Sequence, residues 1–441
     1  MNSNDYEHGA VPADQRKSWL SIAAIWIAIG IDLSGVFLGV TLAQGMAFWS
    51  AILATAVGSL LLGLLAMACA YVGAATGLST AMISRAVFGK IGGSVLAVVL
   101  SLSLLGWFTW QAGFLGSNAQ IAFVELTSLD APVWIFTIIG GALMVLTALW
   151  GYRSISKLST LAVPLLLVLL VVGIIMAVSS RGIDGLYKPV DAVLTFGAAV
   201  SLVMAIFILG VVSAPDIARW AKTPKHAMAA GFVGFFFGNS IILVVAIVLA
   251  RVMDESELVT IYFTLGLGAI AVVVLLLAQW TTNTANIYSA ALNFSSISSR
   301  LNRRTLTIVG GTIGIVLAVF GAVDAFVPFL LAIGIVIAPY GGVYLAAFFM
   351  ERRSGRFEAG ADLPTINGWA IAAWLTGIFA ALTTTVPVGG VGFGWVTLTT
   401  IPALDGLLVG FVVYFAIVIT RRRIGGSAIT AEVMDDANRA G

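Results

Sequence analysis

The residues with the most chemistry in this 441-residue chain are polar groups set inside long apolar runs. Asp32 lies in the stretch Gly30-Ile31-Asp32-Leu33-Ser34-Gly35, with apolar sequence on both sides. A carboxylate in the middle of a hydrocarbon layer costs roughly 2.5–3.5 kcal/mol even on the mildest insertion scale, so it must face a cavity and find partners. Three functional roles fit it: binding an amine or amidine edge, adding negative field at a cation, or carrying a proton. Capping an unwound segment by accepting backbone N–H groups is the structural alternative. Trp107 and Gln111 are four residues apart and so share one helix face. That face offers a flat ring both an aromatic slab and an amide, although ordinary aromatic packing competes for Trp107 and is the better reading for Phe108 and Trp110. Between Gln279 and Asn286 stand six amide or hydroxyl side chains, including Thr281, Thr282 and Asn283. Thr hydroxyls with loose backbone carbonyls suit a small hard cation such as sodium, while hydrogen bonding between helices is the plainer alternative.

The elements that must hold these groups are membrane spans. Sixty per cent of the residues are hydrophobic and ten per cent charged, against about a quarter charged in soluble domains. Apolar runs of about 20 residues, each long enough to cross a hydrocarbon core, predict twelve spans. They fall near 19–44, 49–75, 93–124, 132–151, 158–180, 193–215, 227–251, 259–292, 305–323, 326–350, 367–388 and 401–420. With the N-terminus inside, nineteen of the twenty-two Lys and Arg residues fall on the cytoplasmic side and only Arg181, Lys188 and Arg251 outside. A missed or extra span would swap the side of every later loop, so this bias predicts an inner-membrane protein with both termini cytoplasmic. The net charge of +2 follows from that orientation and points to no nucleic-acid partner. Cys69 is the only cysteine, and the first 18 residues lack a signal-peptide layout, so the first span is expected to stay in the mature protein.

The chain reads as one membrane domain, 18–423, between polar tails 1–17 and 424–441. Breaks are expected in the first span at Gly30–Gly35 and in the sixth around Phe207–Gly210 and Ser213-Ala214-Pro215-Asp216. Interrupted first and sixth helices are the pairing of a five-plus-five inverted repeat, here about 19–180 and 193–350, followed by two extra helices at 367–420. Close helix packing is the plainer reading of the glycines. Nothing suggests an enzyme: His8 and His226 lie in a tail and a loop, and no Gly-Lys-Ser/Thr phosphate loop is present. No cofactor is expected, and coupling to an ion gradient remains.

Several stretches together resemble the nucleobase-cation-symport family, which includes cytosine permeases and hydantoin or allantoin transporters. They are Gly9-Ala-Val-Pro12, Tyr71 through Thr80 with Arg85-Ala-Val-Phe-Gly89, Gly106-Trp-Phe108, Asp216-Ile-Ala-Arg219, Phe237-Gly-Asn-Ser240, Trp280-Thr-Thr-Asn283 and Ala338-Pro-Tyr-Gly-Gly342. The resemblance covers nearly the whole chain. It implies an all-α, leucine-transporter-like fold of twelve helices, alternating access, and symport with sodium, a proton being the alternative. It also implies a functional monomer that binds a small heterocycle within the lipid bilayer. Trp107 resembles one stacking aromatic and Phe207 the aromatic that closes the other ring face. Sodium ligands would be the Ala278 carbonyl and the Thr281 and Thr282 hydroxyls, joined by carbonyls near Ala28 and Ile31. The expected substrate set is Asp32, Trp107, Gln111, Phe207, Gln279 and Asn283.

Two departures matter. Where similar cytosine permeases carry a Gln and an Asn this chain has Leu104 and Ala278, and Asp32 replaces an aromatic. A carboxylate beside the ring favours a ligand with adjacent donors or positive charge. Cytosine or a related aminopyrimidine or purine is therefore expected, with a hydroxymethylpyrimidine, a hydantoin or allantoin as the alternative. An amine or amino-acid carrier of the same fold fits paired aromatics less well, and a receptor-like membrane protein would bind without concentrating its ligand.

Overall fold

The computed structural model describes residues 11 and 13–439, apart from 151, 296, 298–301 and 359. The stretch Gly9–Pro12 therefore lies mostly outside the described residues. The described residues contain fifteen α-helices: α1 Trp19–Gly30, α2 Leu33–Gly45, α3 Phe48–Thr76, α4 Thr80–Thr127, α5 Val133–Trp150, α6 Tyr152–Arg181, α7 Phe196–Val212, α8 Pro215–Ala218, α9 Pro224–Met253, α10 Leu258–Thr264, α11 Gly268–Ser295, α12 Arg303–Val319, α13 Phe326–Glu351, α14 Gly368–Thr384 and α15 Pro402–Arg439. Pairing in the β sense is confined, among the described residues, to isolated bridges at Lys17–Ala221 and Val388–Val391.

Eight of these helices, α3, α4, α5, α6, α9, α11, α13 and α15, contain runs long and apolar enough to cross a membrane, and α2, α7 and α14 are shorter apolar helices. Large apolar side chains stand on the outer surface, Phe320 at 84% and Trp150 at 76% exposure. Water would penalise such a surface, whereas hydrocarbon does not. The backbone is helical because a segment in lipid has to satisfy its own N–H and C=O groups.

The first expected break occurs, and the sixth span breaks at Ser213–Ala214 but not around Phe207–Gly210, which stays helical within α7. α1 stops at Gly30 and α2 starts at Leu33, with Ile31 (φ −96°, ψ 80°) and Asp32 (φ −129°, ψ 149°) out of helical geometry between them. α7 stops at Val212, and after Ser213 and Ala214 the short α8 begins on Pro215, a residue with no N–H to continue the preceding ladder. Three expected spans differ in outline. The run at 259–292 divides into α10 and α11, because Gly266 adopts φ +76° between them. α15 carries the last span on as helix to Arg439 rather than ending near 420. The third span belongs to a 48-residue helix, α4, bent at Gly89.

Gly89 has φ +88°, and a Cβ there would meet the Pro364 carbonyl and the Ile366 backbone at 2.8–2.9 Å. The bend frees backbone groups, which the 364–367 segment satisfies: Lys90 and Ile91 N–H donate to the Pro364 and Thr365 carbonyls at 2.9 Å, and Asn367 N–H donates to Phe88 O at 2.8 Å. Gly30 closes against Gly238 of α9, where an added Cβ would lie 3.1 Å from backbone. The end of α1 is thereby held close to α9 just before the first break.

α9 packs along α1, α2 and α3, and α7 lies against α3 and α13. α4 packs instead on α5, α11 and α12. The two groups touch mainly where α4 meets α13, and at fewer points where α7 meets α4 and α2 meets α11. Charged segments meet one another at several points. Lys17 pairs its backbone with Trp220 and Lys222 at 2.6 and 3.0 Å, and Lys90 reaches Asp362 at 3.2 Å. The three outlying cations gather instead around Asp254: Lys188 lies 2.6 Å away, and Arg181 and Arg251 act on the same carboxylate.

Candidate functional site

The sparse contact between the two helix groups leaves a cavity of about 450 Å³. Its lining begins at the first break with Ile29, Asp32 and Ser34, and takes Leu100, Leu104, Trp107 and Gln111 from α4. Phe207 and Gly210 come from α7, and Ser213 and Asp216 from the second break. Thr282, Asn286, Ser289 and Asn293 of α11 complete it. A larger cavity of about 630 Å³, lined by Glu351, Arg356, Asp362 and Arg422 among others, is open and polar and carries none of the break or aromatic residues. Ligand sites of transporters lie where helices are interrupted, so the smaller cavity is the candidate.

Asp32 is the N-cap of α2 and is 5% exposed. Its Oδ2 accepts from the Ser34 N–H at 3.3 Å, from the Ser34 hydroxyl, and from Gln111 Nε2 at 3.3 Å. The structural and functional readings of Asp32 therefore coexist: the carboxylate caps the unwound segment and also faces the cavity. Thr282 of α11 neighbours the same carboxylate.

Trp107 is held edge-on by Phe329, with ring centroids 5.2 Å apart and planes at 81°, and by Trp110 at 6.2 Å. These contacts leave Trp107 on the cavity wall, whereas Phe108 and Trp110 are core. Phe108 is fully buried in a cluster with Met144, and Trp110 donates its Nε1–H to the Val323 carbonyl at 2.9 Å and packs on Phe326.

Gln279 and Asn283, expected with the substrate residues, do not line the cavity. Gln279 Nε2 donates to the Gln111 carbonyl at 3.0 Å and its Oε1 accepts from Asn118 at 3.3 Å. Asn283 Nδ2 donates to the Phe108 carbonyl at 3.0 Å. Their helical phase turns them towards α4, where they hold the backbone that carries Trp107 and Gln111. Ala278 is buried behind the cavity wall, so of the two missing amides only the one at Leu104 changes the lining, making that stretch apolar, while Asp32 lines the cavity as well.

The Ala278 carbonyl accepts both the Thr281 hydroxyl at 2.8 Å and the Thr282 hydroxyl at 3.2 Å. Hydroxyls that donate this way keep oxygen lone pairs for a cation. Ile31 ends α1 outside helical geometry, and Ala28 lies one turn before it. Among the described residues there is no group of three or more His, Cys, Asp and Glu that could hold a metal ion.

The sequence reading passed over two groups. Ser34 holds Asp32, and its signal was its spacing two residues after an acid, the pattern of an Asx cap. Asp216 lines the cavity at the second break and accepts the Thr80 N–H at 2.8 Å. An acid immediately after a helix-ending Pro carried the same signature as Asp32.

Residues 10–389 match the family of permeases for cytosine/purines, uracil, thiamine, allantoin. The chain belongs to this family. The permease is 31% identical over 392 residues to the cytosine permease of Escherichia coli strain K12, covering 88% of this chain and 92% of that protein. It is 26% identical over 376 residues to the hydantoin permease of Microbacterium maritypicum, covering 77% and 74%. In fold it is similar to Mhp1, a nucleobase-cation-symport-1 family transporter. The inward-facing structure of Mhp1 superposes with a TM-score of 0.78 at 18% identity over 96% of this chain and 94% of that one. A closed structure with bromovinylhydantoin bound gives 0.73 at 19% identity over 93% and 94%. The permease is thus a multi-pass membrane transporter of small molecules and not an enzyme.

Proposed function

We propose that the permease imports a flat nucleobase-like heterocycle by cation symport, binding it in the cavity between Trp107 of α4 and Phe207 of α7. The observation that carries this is the placing of two aromatic side chains, an amide and a carboxylate around one cavity bounded by two helix breaks. Aromatic faces supply apolar contact to a planar ring, and polar groups at its edge fix its orientation. Trp107 stacks on the ring, Phe207 closes over it, and Asp32 and Gln111 read its edge. Gln279 and Asn283 act as positioning residues that hold the α4 carbonyls.

The coupling ion in this reading is sodium, held by the carbonyls near Ala28 and Ile31, the Ala278 carbonyl, and the Thr281 and Thr282 hydroxyls. These are hard oxygen donors gathered beside broken helix, the chemistry sodium prefers. Binding both ion and ring at the first break makes each favour the same conformation, which is the physical basis of coupling. The architecture follows the five-plus-five inverted repeat with two additional helices, counting α1–α2, α7–α8 and α10–α11 as single interrupted spans, twelve in all. Both termini lie on the cytoplasmic side of the inner membrane, and the monomer is the transporting unit. The cavity runs from Asp32 to Ser289 and Asn293 near the end of α11, so the conformation described is one open towards that cytoplasmic side.

Uptake of labelled cytosine by a permease-deficient bacterium expressing this chain tests the reading, with sodium present or replaced and unlabelled nucleobases, aminopyrimidines and hydantoins as competitors. Saturable, sodium-stimulated uptake blocked by nucleobases is the expected result. Uptake blocked only by hydantoins would move the substrate within the family, and uptake of none would overturn the proposal.

A further inference from the structure

We propose that the open cavity of about 630 Å³ between the ends of α13 and α15 binds the phosphate headgroup of an anionic phospholipid, held by Arg421 and Arg422. The proposal goes beyond the transport site and does not depend on what that site carries. Three arginines and two acids line this cavity, Arg356, Arg421 and Arg422 against Glu351 and Asp362. Glu351 is already engaged, since its Oε2 accepts from Arg356 Nη1 and from the Tyr414 hydroxyl, each at 2.8 Å. Asp362 pairs with Lys90 of α4 at 3.2 Å, and Glu358, the remaining acid of the 351–367 segment, is not part of the lining. Arg422 donates through Nη2 to the Met350 carbonyl near the end of α13, which uses one of the five N–H groups of its guanidinium. Arg421 makes no hydrogen bond or ion pair among the described residues. Both acids thus have cations of their own, and two arginine forks remain on the cavity wall, a geometry that matches phosphate oxygens.

The level of the cavity in the bilayer decides for a lipid over a dissolved anion. α13 carries no charged residue before Glu351, and on α15 the first after Asp405 is Arg421, so both walls pass from hydrocarbon to headgroup depth at the cavity. Trp369, in the first turn of the adjoining α14, is exposed there, the placing typical of an interfacial aromatic. Phe415 lies two turns before Arg422 on the same face of α15 and is exposed too, which offers apolar surface to an acyl chain directly below the arginines. Basic pockets between membrane helices at this depth take anionic headgroups. With only one net positive charge on its walls and a wide opening, the cavity would hold free phosphate weakly against solvent screening. A lipid is already confined to the membrane by its chains, so its headgroup reaches the same two forks at a high effective concentration.

The test is a titration of the purified full-length permease in uncharged detergent with phosphatidylglycerol, phosphatidylcholine or inorganic phosphate, read as the shift in melting temperature. Phosphatidylglycerol is expected to reach its half-maximal shift at a concentration about tenfold or more below that of phosphatidylcholine or phosphate. Arg421→Gln with Arg422→Gln is expected to raise the half-maximal phosphatidylglycerol concentration by about tenfold. Arg352→Gln with Arg353→Gln removes the same charge just past the end of α13 but outside the cavity lining, and is expected to change it by less than about twofold. Equal responses to the two lipids in the wild type would overturn the proposal, and so would equal losses in the two double variants, which would mean attraction to a diffuse basic surface. A phosphate response as strong as that to phosphatidylglycerol would overturn the lipid and leave a free-anion site. The wild-type comparison of ligands needs no variant to fold.

Discussion

At the first helix break, Asp32 caps α2 through its own side chain and keeps one face towards the cavity, where Gln111 meets it. At the second, Asp216 also lines the cavity, but its carboxylate is given to the Thr80 N–H at the start of α4. The carbonyl left over there, that of Val212, is satisfied from another helix by the Tyr344 hydroxyl at 3.3 Å. A Cβ on Gly73 of α3 would lie 2.4 Å from the Cα of Pro215, so α8 is also pressed onto α3. One break is thus closed locally and leaves its acid to a ligand, while the other is closed by tertiary partners and uses its acid as a joint. Two interruptions of similar composition separate into a reading site and a hinge support according to what surrounds them.

The largest effects expected are those that exchange these roles. Asp32→Ala should weaken nucleobase binding by about 1.5–3 kcal/mol, the worth of a charged hydrogen bond, while costing only about 1 kcal/mol of stability through the lost cap. Asp216→Ala should do the reverse. It strands the Thr80 N–H at about 1–3 kcal/mol of stability, seen as a lower melting temperature in detergent with the rank order of ligands retained. Similar losses of affinity and stability in both variants would erase the distinction between the breaks.

Trp107→Ala removes one stacking face opposite the first break and should cost about 1–3 kcal/mol of ligand affinity, read by equilibrium binding. Little change would mean that the ring lies elsewhere in the cavity. Thr282→Ala should raise the sodium concentration for half-maximal uptake by roughly fivefold, one hydrogen-bond equivalent, and affect ligand affinity at saturating sodium much less. Tyr344→Phe, which removes the donor to the Val212 carbonyl and the hydroxyl beside Cys69, should lower stability by about 0.5–1.5 kcal/mol in a thermal melt with selectivity unchanged. A changed ligand order in that variant would show that the second break reads the substrate too.

Much of the architecture was legible in the residues themselves. Apolar run length marks spans because the hydrocarbon thickness is fixed. The breaks were legible because Gly30, Asp32 and Pro215 are types that leave or end a helix for local reasons. The division of 259–292 was not, since an apolar run around Gly266 reads alike whether its glycine turns left-handed or stays helical.

The site divides along the same line. Sequence by itself determined which groups were too polar to face lipid, and so named Asp32 and the α11 amides and hydroxyls; the spacing of Trp107 and Gln111 added those two, and the family resemblance added Phe207. Tertiary structure alone decided which of them face the cavity. Gln279 and Asn283 turn away from it to hold α4, and the Gln111 side-chain amide oxygen is left without a donor. Composition records the cost of burying a polar group, but its partner is set by helix rotation and by which helix packs alongside, and both are properties of the assembled bundle.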